Sequence, residues 1–236
     1  MRLGLLGYPI NHSRSPELYQ EFLGKHLTHY HLLSYETEEE IPSLTELAKS
    51  YDGLNITSPY KKHFVKDVTI ESDLVQKIGA INTISLNAKG YFGTNTDVVA
   101  VEEILLQYQK QFGNLHLIIL GGGVMAKVTT LVASKLNISI NNLSRSVNGD
   151  LSKLDLTVLR KNTAQNIVVN ACSREFIFKG IISREDIFWD FNYNFIPHQN
   201  TLPSMTKLYE DGLELLRLQA QAAITFWQET NPKLKY

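Results

Sequence analysis

Cysteine is nearly absent from this chain, with Cys172 the only one among 236 residues. A lone cysteine closes no intramolecular disulfide, and no CxxC or Cys/His spacing offers a structural zinc site, so a reducing compartment and no metal are expected. Neither sign of charge is in excess: 23 Lys and Arg stand against 24 Asp and Glu, a formal net charge of −1. Because the basic residues are scattered, the electrostatic footprint of a nucleic-acid or anionic-membrane partner is missing, and a small molecule is the expected partner. No apolar run approaches the roughly 20 residues that cross a bilayer. The apolar stretch after Arg2 is broken by Gly7, Pro9 and His12, so it reads as a first strand rather than a secretory signal. Internal repeats and low-complexity segments are also lacking. A cytoplasmic protein is the default expectation.

What is there is an ordinary globular composition, 43% hydrophobic and 20% charged, sufficient for a packed core and long enough for two modest domains. Residues 1–6 predict a short buried strand ended by Gly7-Tyr8-Pro9. A helix is expected from Ser15-Pro16, with the serine as cap and the proline at the first helical position. Tyr30 to Leu33 predict a strand, and residues 37–50 an amphipathic helix carrying Ile41, Leu44, Leu47 and Ala48 on one face. Gly53 to Thr57 return as a strand. From about residue 101 the pattern changes: a helix over Val101–Tyr108 precedes the continuous apolar run Leu115–Leu120, as expected of a parallel strand buried on both faces. A helix over 124–136, strands near 138–143, 167–170 and 187–191, and a closing helix from Leu213 through Trp227 complete an α/β pattern with a doubly wound parallel sheet.

Leu120 runs directly into Gly121-Gly122-Gly123-Val124-Met125-Ala126. A GxGxxA turn between strand and helix lets the backbone approach a pyrophosphate at the positive end of the helix dipole. The same three glycines could simply make a tight turn; the strand before and the helix after favour a dinucleotide. The end of the next strand carries no acid to accept from ribose hydroxyls and reads Leu143-Ser144-Arg145-Ser146 instead. A guanidinium flanked by Ser144 and Ser146 suits a 2′-phosphate, so NADP is the expected cofactor, with Arg145 as an ordinary loop arginine the plainer reading.

Three polar groupings in the first block need more than turn chemistry. In Gly7-Tyr8-Pro9-Ile10-Asn11-His12-Ser13-Arg14-Ser15-Pro16, two hydroxyls alternate, so an extended segment would point both at one carboxylate. Gly53-Leu54-Asn55-Ile56-Thr57-Ser58-Pro59-Tyr60-Lys61 puts Asn55 and Thr57 on one strand face with a lysine beyond the proline. Gly79-Ala80-Ile81-Asn82-Thr83 and Gly93-Thr94-Asn95-Thr96-Asp97 add amides and a carboxylate. Taken singly, Ser15 reads as a cap, Asn82 and Asn95 as turn residues, Asp97 as a surface acid, and Lys61 with Lys62 as a solvated pair.

In order along the chain, these groupings resemble the shikimate dehydrogenase family, whose segments look like GxPIxHSxSP, GxNVTxPxK, GAxNT and NTD. The segment Gly212 to Ala220 resembles the family's closing-helix motif, with Gln219 at its glutamine. The resemblance implies a substrate domain over residues 1–100 joined by a returning helix at 213–236, and a Rossmann-like NADP-binding domain over 101–212. It implies NADPH-dependent reduction of 3-dehydroshikimate to shikimate. Ser13, Ser15, Thr57 and Tyr193 would hold the ring carboxylate; Asn55, Asn82, Asp97 and Gln219 the ring hydroxyls; Lys61 and Asp97 would be the catalytic pair. Gly121, Gly122, Gly123, Ala126, Ser144, Arg145 and Ser146 would bind the cofactor. The chain departs from the family at Val124-Met125, where it more often has GAGGA, at Val98, and at Cys172-Ser173-Arg174-Glu175-Phe176. That last departure raises the alternative of a non-catalytic or altered-specificity shikimate or quinate binder. Residue types leave a monomer and a homodimer equally open, and they do not divide proton transfer between Lys61 and Asp97.

Overall fold

The computed structural model describes residues 1–236. In chain order the elements are β1 (Arg2–Gly7), α1 (Ser15–Leu23), β2 (His29–Ser34), α2 (Leu44–Leu47), β3 (Gly53–Ile56), α3 (Asp73–Ile78), β4 (Thr83–Asn87) and β5 (Gly90–Thr94). There follow α4 (Asp97–Phe112), β6 (Leu115–Leu120), α5 (Val124–Lys135), β7 (Ser139–Leu143), α6 (Arg145–Asn148), β8 (Gln165–Asn170), β9 (Ile187–Asp190), α7 (Ile196–Thr201), β10 (Leu208–Glu210) and α8 (Leu213–Thr230). The chain divides into two compact units, Met1–Val99 with Arg217–Tyr236, and Ala100–Leu216. No helix is long and apolar enough to cross a membrane.

In the first unit the sheet order is β2-β1-β3-β4-β5, with β1 parallel to β2 and β3, and β4 antiparallel to both its neighbours. Its core holds Leu3, Leu6, Leu54, Ile56 and Ile84 with the rings of Tyr19 and Trp227. Trp227 arrives on α8 and lies on Gly53, where an added Cβ would stand 2.5 Å from the indole Nε1. The indole donates to the Ile84 carbonyl at 2.8 Å, so a late helix closes an early sheet.

The second unit is a five-stranded sheet in the order β10-β9-β8-β6-β7, every pair parallel. β6 is buried along its whole length and pairs on both edges, with β7 and β8, as the unbroken apolar run anticipated for a central parallel strand. Its core gathers Ile118, Leu120, Leu156, Val168, Phe178, Phe188 and Leu202. This is the doubly wound α/β arrangement expected from the sequence.

Three local expectations are corrected. Ser15 is not the cap of α1: Arg14 occupies that position without a side-chain cap bond, and Ser15 is the first helical residue. The helix expected over 37–50 is broken into a 3₁₀ turn at Glu38–Glu40 and the four-residue α2. Pro42 is the cause, since it forces Ile41 into extended backbone at ψ 121° and has no N–H to donate. The helix expected from Val101 starts earlier, at Asp97.

Candidate functional site

The loops after β1 and β3 lie side by side, joined by Tyr8 N–H to the Ser58 carbonyl at 3.1 Å and Thr57 N–H to the Leu6 carbonyl at 2.8 Å. Gly7 permits this approach: a Cβ there would stand 2.3 Å from the Thr57 methyl carbon. Ser13 and Ser15 do converge, but through the turn entering α1 rather than an extended segment. The Ser15 N–H donates to Ser13 Oγ and the two hydroxyl oxygens are 3.2 Å apart.

The β4–β5 hairpin assembles the amides. Its register pairs Thr83 with Thr94, which brings the residue before β4, Asn82, beside those after β5. Asn82 Oδ1 accepts from Thr96 N–H at 2.8 Å, Thr96 Oγ1 at 3.1 Å and Thr83 Oγ1 at 3.0 Å. Thr96 Oγ1, with one proton to give, also lies 3.4 Å from Gln219 Oε1, which sets α8 beside the same network. Asn55 joins it through Nδ2, 3.4 Å from both the Asn82 carbonyl and Thr83 Oγ1. Asn55, Asn82 and Asn95 are all buried; Asn82 and Asn95 do sit in the turns flanking β4 and β5, with their amides directed inward to protein partners.

Lys61 Nζ donates to Asp97 Oδ2 at 2.7 Å, with the two side chains only 16% and 9% exposed. Lys62 is exposed, so the two lysines part and do not form a solvated pair. Asp97 opens α4, where the helix dipole favours a negative group. Its N–H is held by Asn95 Oδ1 at 3.2 Å, and Asn95 Nδ2 donates to the Ala80 carbonyl at 3.0 Å. Asp97 is thus a buried, partnered acid and not a surface one. Tyr193 lies in the second unit after β9, where its carbonyl accepts from Arg174 at 2.8 Å. His12 is exposed.

In the second unit, Gly121 has φ +132°, and a Cβ there would stand 2.8 Å from the Ala171 carbonyl oxygen, so only glycine fits. Gly122 lies over Ser144, with its added Cβ 3.3 Å from that of the serine. Gly123 caps the twelve-residue α5 with no side chain, and the space a Cβ would take is open. Ala126 is buried, where α5 packs closely. The Ser144 and Ser146 hydroxyls are 3.0 Å apart, and Arg145 is exposed between them. This cradle fits a pyrophosphate and a 2′-phosphate.

The divergent segment after β8 is firmly fastened within its unit. Cys172 N–H donates to Asn170 Oδ1 at 3.2 Å, Arg174 donates to the carbonyls of Tyr193 and Asn194 at 2.8 Å each, and Phe178 N–H donates to His198 Nε2 at 2.9 Å. Since Nε2 accepts, His198 carries its proton on Nδ1 and donates it to Asp190 Oδ2 at 2.5 Å. Asp190 also accepts from Asn170, Asn192 and Tyr209. Burial pushes the Cys172 thiol up to about 11, against the opposing charge of Arg145, so it stays protonated at neutral pH. Sequence reading did not single out Thr83, Thr96, Asp190 or His198. Thr83 and Thr96 had a visible signal, since they stand within the segments that carry Asn82 and Asp97.

Residues 5–84 match the family model described as the shikimate dehydrogenase substrate binding domain. A protein of Oceanobacillus iheyensis named shikimate dehydrogenase (NADP(+)) is 27% identical over 260 residues, spanning 98% of this chain and 93% of the relative. One of Sulfurisphaera tokodaii named shikimate dehydrogenase is 29% identical, spanning 95% and 88%. Among solved structures, shikimate dehydrogenase from Aquifex aeolicus superposes with a TM-score of 0.75 at 19% identity, covering 96% of this chain and 92% of that one. The Thermus thermophilus enzyme, in complex with NADP(H) and shikimate, superposes with a TM-score of 0.69 at 20% identity, covering 97% and 94%. At these identities the structural likeness is one of fold.

Proposed function

We infer that this chain, which belongs to the shikimate dehydrogenase family, is an NADP-dependent oxidoreductase that interconverts 3-dehydroshikimate and shikimate, a step toward chorismate and the aromatic amino acids. The observation that carries the reading is the Lys61–Asp97 pair at 2.7 Å, buried beside a connected set of amides and hydroxyls in the unit that holds residues 5–84. The expected setting is the cytoplasm.

Ser13, Ser15 and Thr57 offer hydroxyls to the ring carboxylate, with Tyr193 as a further candidate. Asn55, Asn82, Asp97 and Gln219 meet the ring hydroxyls. Gly121, Gly122, Gly123 and Ala126 shape the pyrophosphate turn, and Ser144, Arg145 and Ser146 grip the 2′-phosphate by charge-assisted hydrogen bonds. NADPH, when bound, supplies the hydride. Negative charge then develops on the carbonyl oxygen, and the Lys61 ammonium stabilises it and delivers the proton that makes the alcohol. Asp97 holds that ammonium in place through its carboxylate. In the reverse direction the Lys61–Asp97 pair receives the alcohol proton as hydride leaves the carbon.

A chain that binds shikimate without turning it over is not favoured. The ammonium–carboxylate pair and the glycine cradle are both intact, and the Cys172–Phe176 segment is well fastened. Purified protein given shikimate and NADP should develop the absorbance of NADPH in proportion to enzyme. No absorbance change at millimolar substrate overturns the assignment.

A further inference from the structure

Three rings from separate stretches of the first unit form a layer next to Asn55. Trp227 lies on Gly53. Tyr19 tilts against Trp227 with centroids 5.6 Å apart and stacks on Tyr30 at 4.7 Å with 16° between planes. β2 and β3 flank β1, and both Tyr30 and Gly53 pair with Leu3. The Tyr30 side chain therefore crosses β1 to bring its hydroxyl 2.8 Å from Asn55 Oδ1.

The partners fix the polarity of that amide. The Asn82 carbonyl can only accept, so the atom 3.4 Å from it is Asn55 Nδ2. Thr83 Oγ1, also 3.4 Å from Nδ2, gives its own proton to Asn82 Oδ1 at 3.0 Å and so accepts as well. Oδ1 then faces Tyr30, whose phenol donates. The oxygen end is anchored by one short bond, while the nitrogen end holds two bonds at the limit of hydrogen-bond reach.

We propose that Tyr30 is a positioning residue for substrate specificity: by holding Asn55 Oδ1 it turns the amide so that Nδ2, exchanging one of its two 3.4 Å bonds, meets a ring oxygen of the bound acid as a donor. The inference rests on the preceding reading of Asn55 as a substrate residue. A flipped amide would present an acceptor and select a different pattern of ring hydroxyl and keto groups. Burial, and then the adjacent Tyr19 phenol, hold the Tyr30 pKa well above its ordinary range, so the donated proton is present at any working pH.

Tyr30→Phe keeps the stack and removes the hydroxyl. Calorimetric titration of the full-length variant with shikimate, and with analogues each lacking one ring hydroxyl, reads the effect directly. Shikimate should bind about tenfold more weakly, with the loss reduced for one deoxy analogue, NADPH affinity unchanged and kcat far less affected than KM. Unchanged shikimate affinity, or an equal loss for every analogue, overturns the proposal, because a merely structural role leaves the ranking of analogues as it was. Asn55→Asp, which replaces the amide nitrogen by a second oxygen, serves if Tyr30→Phe does not fold: full retention of shikimate affinity there also overturns it. Wild-type protein that binds shikimate but reduces no NADP sinks the dehydrogenase assignment alone, and wild-type protein that binds none sinks both.

Discussion

Lys61 and Asp97 lie 36 residues apart in sequence and 2.7 Å apart in the fold. An ammonium so held is oriented before substrate arrives, which is where general-acid catalysis gains most. Lys61→Ala should lower kcat by about 10²-fold or more, with a smaller change in shikimate KM; near-normal turnover in steady-state assays would remove the lysine from the chemistry. Arg145 is exposed, beside the paired hydroxyls of Ser144 and Ser146. Arg145→Ala should raise the NADPH dissociation constant about tenfold and leave that for NADH nearly unchanged. Fluorescence titration checks this, and equal losses for the two cofactors would count against a 2′-phosphate contact.

At the scale of elements, loops held by glycine contacts carry the candidate site residues. Gly7 lets the loops after β1 and β3 touch, and Gly121 lets the turn after β6 pass close against Ala171. Gly53 acts differently, since it seats the Trp227 indole and thereby docks α8, the helix that brings Gln219 to Thr96. The indole cannot swing away without giving up its 2.8 Å bond to the Ile84 carbonyl. Gly53→Ala should therefore cost about 1–3 kcal/mol in urea unfolding, the usual range for overpacking a tight core. Unaltered stability would mean that α8 shifts freely on the sheet. The break of the expected 37–50 helix at Pro42 shows the opposite case, in which one residue overrides an amphipathic pattern because its ring removes a donor.

For the whole molecule, stability should depend on pH through His116. Its ring is fully buried on β6, bonded to Ser139 Oγ at 2.8 Å and the Leu159 carbonyl at 3.1 Å. Burial, and then the charge of Lys161, lower its pKa. The unfolded chain takes up that proton near pH 6.5 while the folded one resists it, so the contribution is complete above about pH 6.5 and lost as pH falls below it. Urea unfolding at about pH 7.5 and about pH 5.5 should show a smaller pH-dependent loss in His116→Gln than in wild type. Equal losses would assign the dependence to other groups.

The sequence by itself determined most of the strands, the glycine cradle and the identity of the polar set, because those signals are local: a buried parallel strand must be apolar throughout, and a turn at φ +132° such as that of Gly121 needs glycine. Family resemblance, rather than spacing, singled out Lys61, Asn82 and Gln219. The tertiary structure alone decided which groups meet. Thr96 reads as a loop hydroxyl until the β4–β5 register sets it on Asn82. Tyr30 reads as a strand aromatic until β1 lies between it and Asn55, and His198 meets Asp190 only after α7 folds back on β9. Hydrogen bonds between distant residues depend on register and packing, and neither leaves a periodic trace along the chain.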